Sequence, residues 1–106
     1  MADNVLHLSD ENFNSEIESG VTLVDFYADW CGPCKMMEPV INQLAQEMKD
    51  RAKVAKLDIE SAQSTTSQFD VTSIPTIIVF KDGKEVNRII GVRDLESLKA
   101  TLTSFM

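Results

Sequence analysis

Trp30-Cys31-Gly32-Pro33-Cys34-Lys35 is the stretch on which the reading of this chain turns. It holds both cysteines of the sequence, two residues apart. Upstream, residues 21–27 form a nearly continuous apolar, β-branched and aromatic run, the pattern of a strand covered on both faces. Downstream, Met37, Val40, Ile41, Leu44, Ala45 and Met48 recur at i, i+3, i+4 and i+7, the pattern of an amphipathic helix running to Lys49. Cys31 therefore falls between a strand end and a helix start, where unpaired N–H groups and the helix dipole favour an anion. Such settings lower a cysteine pKa from about 8.5 into a range of roughly 3.5–7.5.

The direct rate gain from that shift is modest. A pKa of about 7 raises the thiolate share at pH 7 roughly sixteenfold, and the lost nucleophilicity returns a factor of about five to six. Cys34, one helical turn on, can reach the Cys31 sulfur once that sulfur is joined to another protein, and is expected to be the more buried of the two. Pro33 suits the first helical turn, where its missing N–H removes no helical bond. Gly32 leaves space for a substrate chain. A structural zinc site needs about four ligands, and the chain offers two cysteines and the distant His7. A structural disulfide across so short a loop restrains the unfolded chain little. A reversible dithiol is the reading that uses both residues.

Working outward, residues 5–8 read as a short strand. Ser9 is a helix N-cap candidate, with Phe13 and Ile17 four apart on one face and Gly20 as the stop. Pro39 is expected to kink the helix that contains it. Residues 54–59 read as a strand, and residues 61–69 as a short helix or irregular crossover. Residues 76–80 read as a strand, with Asp82-Gly83 as a tight turn into another at 85–90. Leu95, Leu98, Leu102 and Phe105 keep helical spacing after Asp94, a capping residue. The order β-α-β-α-β-α-β-β-α implies an α/β fold, a mixed sheet with a parallel core, an antiparallel hairpin edge and helices on both faces.

At 106 residues, 43% hydrophobic and 25% charged, the chain has the size and composition of one globular domain spanning residues 1–106. Ten Lys and Arg against 17 Asp and Glu leave a net charge of −7, which argues against a nucleic-acid partner. No apolar run reaches the roughly 18–20 residues of a membrane span. Met1-Ala2-Asp3-Asn4 shows neither the basic region nor the apolar core of a signal peptide. The expectation is a cytoplasmic protein, of a size and charge that suit a monomer, whose cysteines are catalytic or metal-binding rather than structural.

The run from Asp25 to Lys35, with Ser73-Ile74-Pro75-Thr76, Lys81-Asp82-Gly83 and Gly91, resembles the thioredoxin family over essentially the whole chain. A lowered thiol pKa and the Cys-x-x-Cys motif are familiar from that family, so the resemblance does not test them independently. It implies the thioredoxin fold, a central mixed sheet of about five strands flanked by four helices. It implies Cys31 as attacking thiol, Cys34 as resolving thiol, and a cis bond before Pro75, beside the dithiol. Without the resemblance, an ordinary trans turn at Ile74-Pro75 is equally readable. A cis bond would turn the Ile74 backbone outward to pair with an extended substrate.

Asp25, inside an apolar strand, is expected to be buried with a raised pKa. It reads either as a tolerated polar residue near a strand end or, as the resemblance implies, as the base that takes the Cys34 proton through water. Lys56 matches a family lysine beside that carboxylate, or is a strand lysine that reaches solvent. The resemblance implies Trp30, Gly32, Pro33, Ile74, Pro75, Gly91 and Val92 at the substrate, Pro33 within the motif and the other six on an apolar rim suited to a protein substrate; Trp30 also reads as a core aromatic. Met36, Met37 and Met48 read as core. Tyr27 stands where many family members have tryptophan, and residues 61–70 are unusually rich in Ser, Thr and Gln.

The expected activity is general protein-disulfide reduction by dithiol–disulfide exchange, with disulfide-containing proteins as targets. The resemblance implies a flavin-dependent, NADPH-linked thioredoxin reductase as electron donor. No Gly-x-Gly-x-x-Gly fingerprint is present, so no nicotinamide, flavin or metal is expected here; the redox group is the Cys31–Cys34 disulfide. Two alternatives stand beside this: a redox-independent binding subunit that uses the apolar rim, and an oxidant or isomerase on the same fold.

Overall fold

The computed structural model describes residues 4–106; Met1, Ala2 and Asp3, part of the stretch read above for a leader, lie outside the described residues. In chain order the elements are β1 (Leu6–Leu8), α1 (Phe13–Ile17), β2 (Val21–Tyr27), α2 (Gly32–Glu47), β3 (Lys53–Asp58), α3 (Gln63–Gln68), β4 (Thr76–Lys81), β5 (Lys84–Ile90) and α4 (Leu95–Ser104). This is the expected order, a five-stranded mixed sheet with four helices.

The strands lie in the order β1-β3-β2-β4-β5. β3 is parallel to both β1 and β2, β4 runs antiparallel to β2, and β5 antiparallel to β4. The antiparallel part therefore begins one strand earlier than the hairpin suggested. β4 starts at the end of the sheet where β3 finished, and Thr76 pairs with Phe26.

Side-chain alternation divides the core between the two faces. Leu23, Val54, Ile77 and Val79 pack with Met37, Ile41, Leu44, Leu98 and Leu102, on the side of α2 and α4. Val24, Phe26, Leu57, Ile78 and Phe80 pack with Phe13 and Ile17, on the side of α1. There Phe13, Phe69 and Phe80 meet with ring centroids 5.2–5.5 Å apart. β2, central and buried along six of its seven residues, accounts for the continuous apolar run.

Local signals held at several boundaries. Asp82 (φ 51°) and Gly83 (φ 86°) form a two-residue turn with positive φ at both positions. Asp94 caps α4, its carboxylate accepting from Ser97 N–H at 2.9 Å. Ser9 and Asn12 exchange hydrogen bonds as a capping box does: Ser9 N–H donates to Asn12 Oδ1 at 2.7 Å, and Asn12 N–H to Ser9 Oγ at 3.3 Å. Regular helix follows only from Phe13, whose N–H reaches Ser9 O at 3.0 Å. α2 carries Pro39 within it.

Candidate redox site

Cys31 is the N-cap of α2, with extended backbone (φ −89°, ψ 112°), and its Sγ accepts a hydrogen bond from Cys34 N–H at 3.2 Å. Lys35 N–H to Cys31 O, at 3.1 Å, opens the helical ladder, and Pro33 lies in the first turn as expected. A sulfur takes the place that a Ser or Asp oxygen holds at an ordinary cap, so a backbone N–H dipole points at Cys31 Sγ. Cys31 and Cys34 are joined as a disulfide, with Cα atoms 5.2 Å apart. Both are 5% exposed, so Cys34 is not the more buried in this oxidised form. Ala28 shares their cluster, and Tyr27, Ile59 and Ile74 pack around it, covering the two sulfurs alike.

Because β4 starts at this end of the sheet, residues 73–76 arrive beside the disulfide. The Ile74-Pro75 bond is cis, and the Ile74 carbonyl oxygen lies 4.0 Å from Cys31 Sγ. Gly91 N–H donates to Pro75 O at 2.9 Å, and Gly91 has φ 101°, a backbone conformation that favours glycine. Pro75 itself is buried rather than part of the rim, and it immediately precedes β4, whose first five residues are buried. Gly32, Pro33, Trp30 and Val92 are exposed, and Ile74 and Gly91 are half-buried.

Trp30 is 66% exposed, and its Nε1–H donates to Glu60 Oε2 at 2.8 Å. Ile90 and Met36 are exposed large apolar residues near this end that the sequence reading did not place on the rim. Met36 corrects an expectation: it is 68% exposed, whereas Met37 and Met48 are core. The signal was available, because Met36 falls off the buried α2 stripe of Cys34, Met37, Ile41, Leu44 and Ala45.

Asp25 shares the α2 side of β2 with Leu23 and is 4% exposed. Burial pushes its carboxyl up to about 7; nearby Lys56 opposes the rise and Glu38 adds to it. Oδ1 of Asp25 accepts no hydrogen bond from a described residue. Lys56 is its register partner on β3. The Lys56 ammonium lies 3.7 Å from Glu38 Oε2 and 4.6 Å from the centroid of the Tyr27 ring, so its close partners are Glu38 and Tyr27 rather than Asp25. Asp25, Cys34, Lys56, Glu38, Tyr27 and Asn42 line a cavity of about 10 Å³, the lower limit for one water molecule. A larger hollow of about 340 Å³ beside α3, lined by Ile59, Thr66 and Val71 among others, contains no sulfur.

Among the described residues no group of three or more His, Cys, Asp or Glu could hold a metal ion, and no helix is long and apolar enough to cross a membrane. The arrangement offers one exchangeable sulfur pair, one capped position for a sulfur anion, and one buried proton-accepting group behind it.

The family model described as Thioredoxin matches residues 4–104. Curated proteins named Thioredoxin from Staphylococcus aureus strains Mu50, MW2 and COL are each 46% identical over 98 residues, covering 92% of this chain and 94% of theirs.

Proposed function

The chain belongs to the thioredoxin family and reduces protein disulfides by dithiol–disulfide exchange, and on that premise we propose how its residues divide the work. The Cys31 thiolate attacks one sulfur of a target disulfide; a Cys31–target bond forms, and the target's other sulfur leaves as a thiolate. Cys34, having lost its proton to Asp25, then attacks Cys31 Sγ. The Cys31–Cys34 bond forms, and the second target sulfur leaves. Two electrons have passed to the target, which takes up two protons, and the protein is left as the disulfide described above.

The observation that carries this division is the capped sulfur: Cys31 Sγ receives Cys34 N–H at the mouth of α2. That favours Cys31 as the ionised thiol that makes the first attack. The cavity between Asp25 and Cys34 supports a proton path through one water, and the pKa of about 7 suits a group that exchanges a proton near neutrality. Lys56 supports the ionised form of Asp25 by its charge. The Ile74 carbonyl beside the disulfide supports strand-like pairing with a substrate backbone. Trp30, Gly32, Pro33 and Val92, with Ile74 and Gly91, supply the surface around that strand, and buried Pro75 holds it in position.

The electron donor in this reading is thioredoxin reductase, and the redox group is the disulfide itself, with no further cofactor. The reading extends to one domain over residues 1–106, supported by a single sheet through all five strands, and to a monomer in the cytoplasm. The experiment is equilibration with a glutathione redox buffer, followed by quantitation of free thiols. A potential well below that of glutathione is the expected result. A potential above it makes the protein an oxidant and overturns the reductase assignment.

A further inference from the structure

The α2 surface that carries Cys34 carries a second ionisable group. Glu38 lies four residues on, one turn along the same face, and so reaches the cavity that Cys34 and Asp25 share. Its side chain is 60% exposed, against 15% for that of Lys56, and its Oε2 is 3.7 Å from the Lys56 ammonium. Lys56 is thus held between the Tyr27 ring and Glu38, although its register partner is Asp25. We propose that Glu38 is a positioning residue for the resolving step: it holds the Lys56 ammonium at the cavity mouth and so limits the positive charge that reaches Asp25.

The inference rests on Asp25 acting as the base for Cys34. The groups facing Asp25 are few enough to make the sign clear. β3 contributes the Lys56 cation and α2 the Glu38 anion, and both act on the carboxyl by charge. Tyr27, on β2 itself, has its phenol pushed upward by burial and by neighbouring carboxylates, so it brings no charge at neutral pH. Removing the Glu38 charge frees Lys56 to approach Asp25 and removes a like charge, and both changes favour the carboxylate. Glu38 is largely solvated, which keeps the effect small.

The test is a titration of the Asp25 side-chain carboxyl by carbon-13 NMR, together with the pH profile of mixed-disulfide resolution. The chromogenic disulfide 5,5′-dithiobis(2-nitrobenzoate) serves as substrate, and release of the second thiolate reports the attack by Cys34. Glu38→Gln is expected to lower the Asp25 midpoint by roughly 0.2–0.7 pH unit and to shift the resolution profile down equally, while release of the first thiolate is unchanged. Glu38→Asp restores most of the parent midpoint. In a Lys56→Met background, Glu38→Gln has a smaller effect.

An unmoved midpoint in Glu38→Gln overturns the inference and leaves Asp25 as base. An equal shift in the Lys56→Met background overturns it too, because Glu38 then acts by its own charge alone. Asp25→Asn separates the premise: a resolution profile identical to the parent's overturns the assignment of Asp25 and this inference together.

Discussion

Asp25 and Lys56 are register partners on parallel strands, yet the Lys56 ammonium lies against Glu38 and Tyr27 while Asp25 Oδ1 accepts no hydrogen bond from a described residue. A buried carboxylate in that position is compensated by one shared cation, and it stays protonated until about neutrality. The same residue therefore makes two measurable demands, one on stability and one on the exchange reaction.

The stability demand has a definite sign. The folded protein binds the Asp25 proton more tightly than the unfolded chain does, so this group's contribution is most favourable at low pH. It declines as pH rises from about 4, near the unfolded value, to about 7, and is level above that. Asp25→Asn is expected to stabilise the protein at pH 8 by about 2–4 kcal/mol and to change it little at pH 4. Denaturant unfolding at the two pH values checks this. A gain of equal size at both would assign the effect to packing rather than charge.

The two thiols should fail differently. Cys31→Ser is expected to reduce disulfide reduction to background. Cys34→Ser is expected to keep the first attack and to accumulate covalent complexes with target proteins, visible by mass and released by dithiothreitol. A double-serine protein that still restores growth of a deletion strain would point instead to a binding role of the apolar rim.

Trp30 is mostly solvent-exposed, so its removal should affect substrates more than folding. Trp30→Ala is expected to raise KM for a protein disulfide about fivefold or more, as expected for an aromatic interface anchor worth at least about 1 kcal/mol. Unfolding free energy should change by less than about 0.5 kcal/mol. Parallel measurement of kcat, KM and stability distinguishes a contact residue from a structural one.

Asp94 tests the fold away from the sulfurs. Its carboxylate satisfies Ser97 N–H at the start of α4, whose Leu98 and Leu102 pack into the α2-side core. Asp94→Ala is expected to lose about 1 kcal/mol, and Asp94→Ser most of that less, with exchange activity at 25 °C unchanged. Chemical denaturation alongside a disulfide-reduction assay provides both readings.

Residues 21–27, the Cys31–Cys34 spacing, Asp82-Gly83 and Asp94 could be read without coordinates because each is governed by chemistry within a few positions along the chain. Side-chain period, positive φ and a capping oxygen, or sulfur, act over one turn or one strand. They were sufficient for the element order, for the sulfur at the start of a helix and for the burial of Asp25. The resemblance added the cis bond and the roles of the thiols.

Four features depended on what the chain meets far along its length. β4 starts at the end of the sheet where β3 finished and runs antiparallel to β2, which brings Ile74 and Pro75 to the disulfide. Pro75 is buried, and the two cysteines are equally so, because the start of β4 and residues 27, 28 and 59 close around them. Glu38 carries no local signal along the chain, and only the packing of α2 against the sheet sets it against Lys56. The sequence by itself determined the reactive pair and the elements that hold it, through short-range periodicity and capping. The tertiary structure decided which groups share its proton and which surface meets a substrate, because burial and charge proximity arise only where distant segments come together.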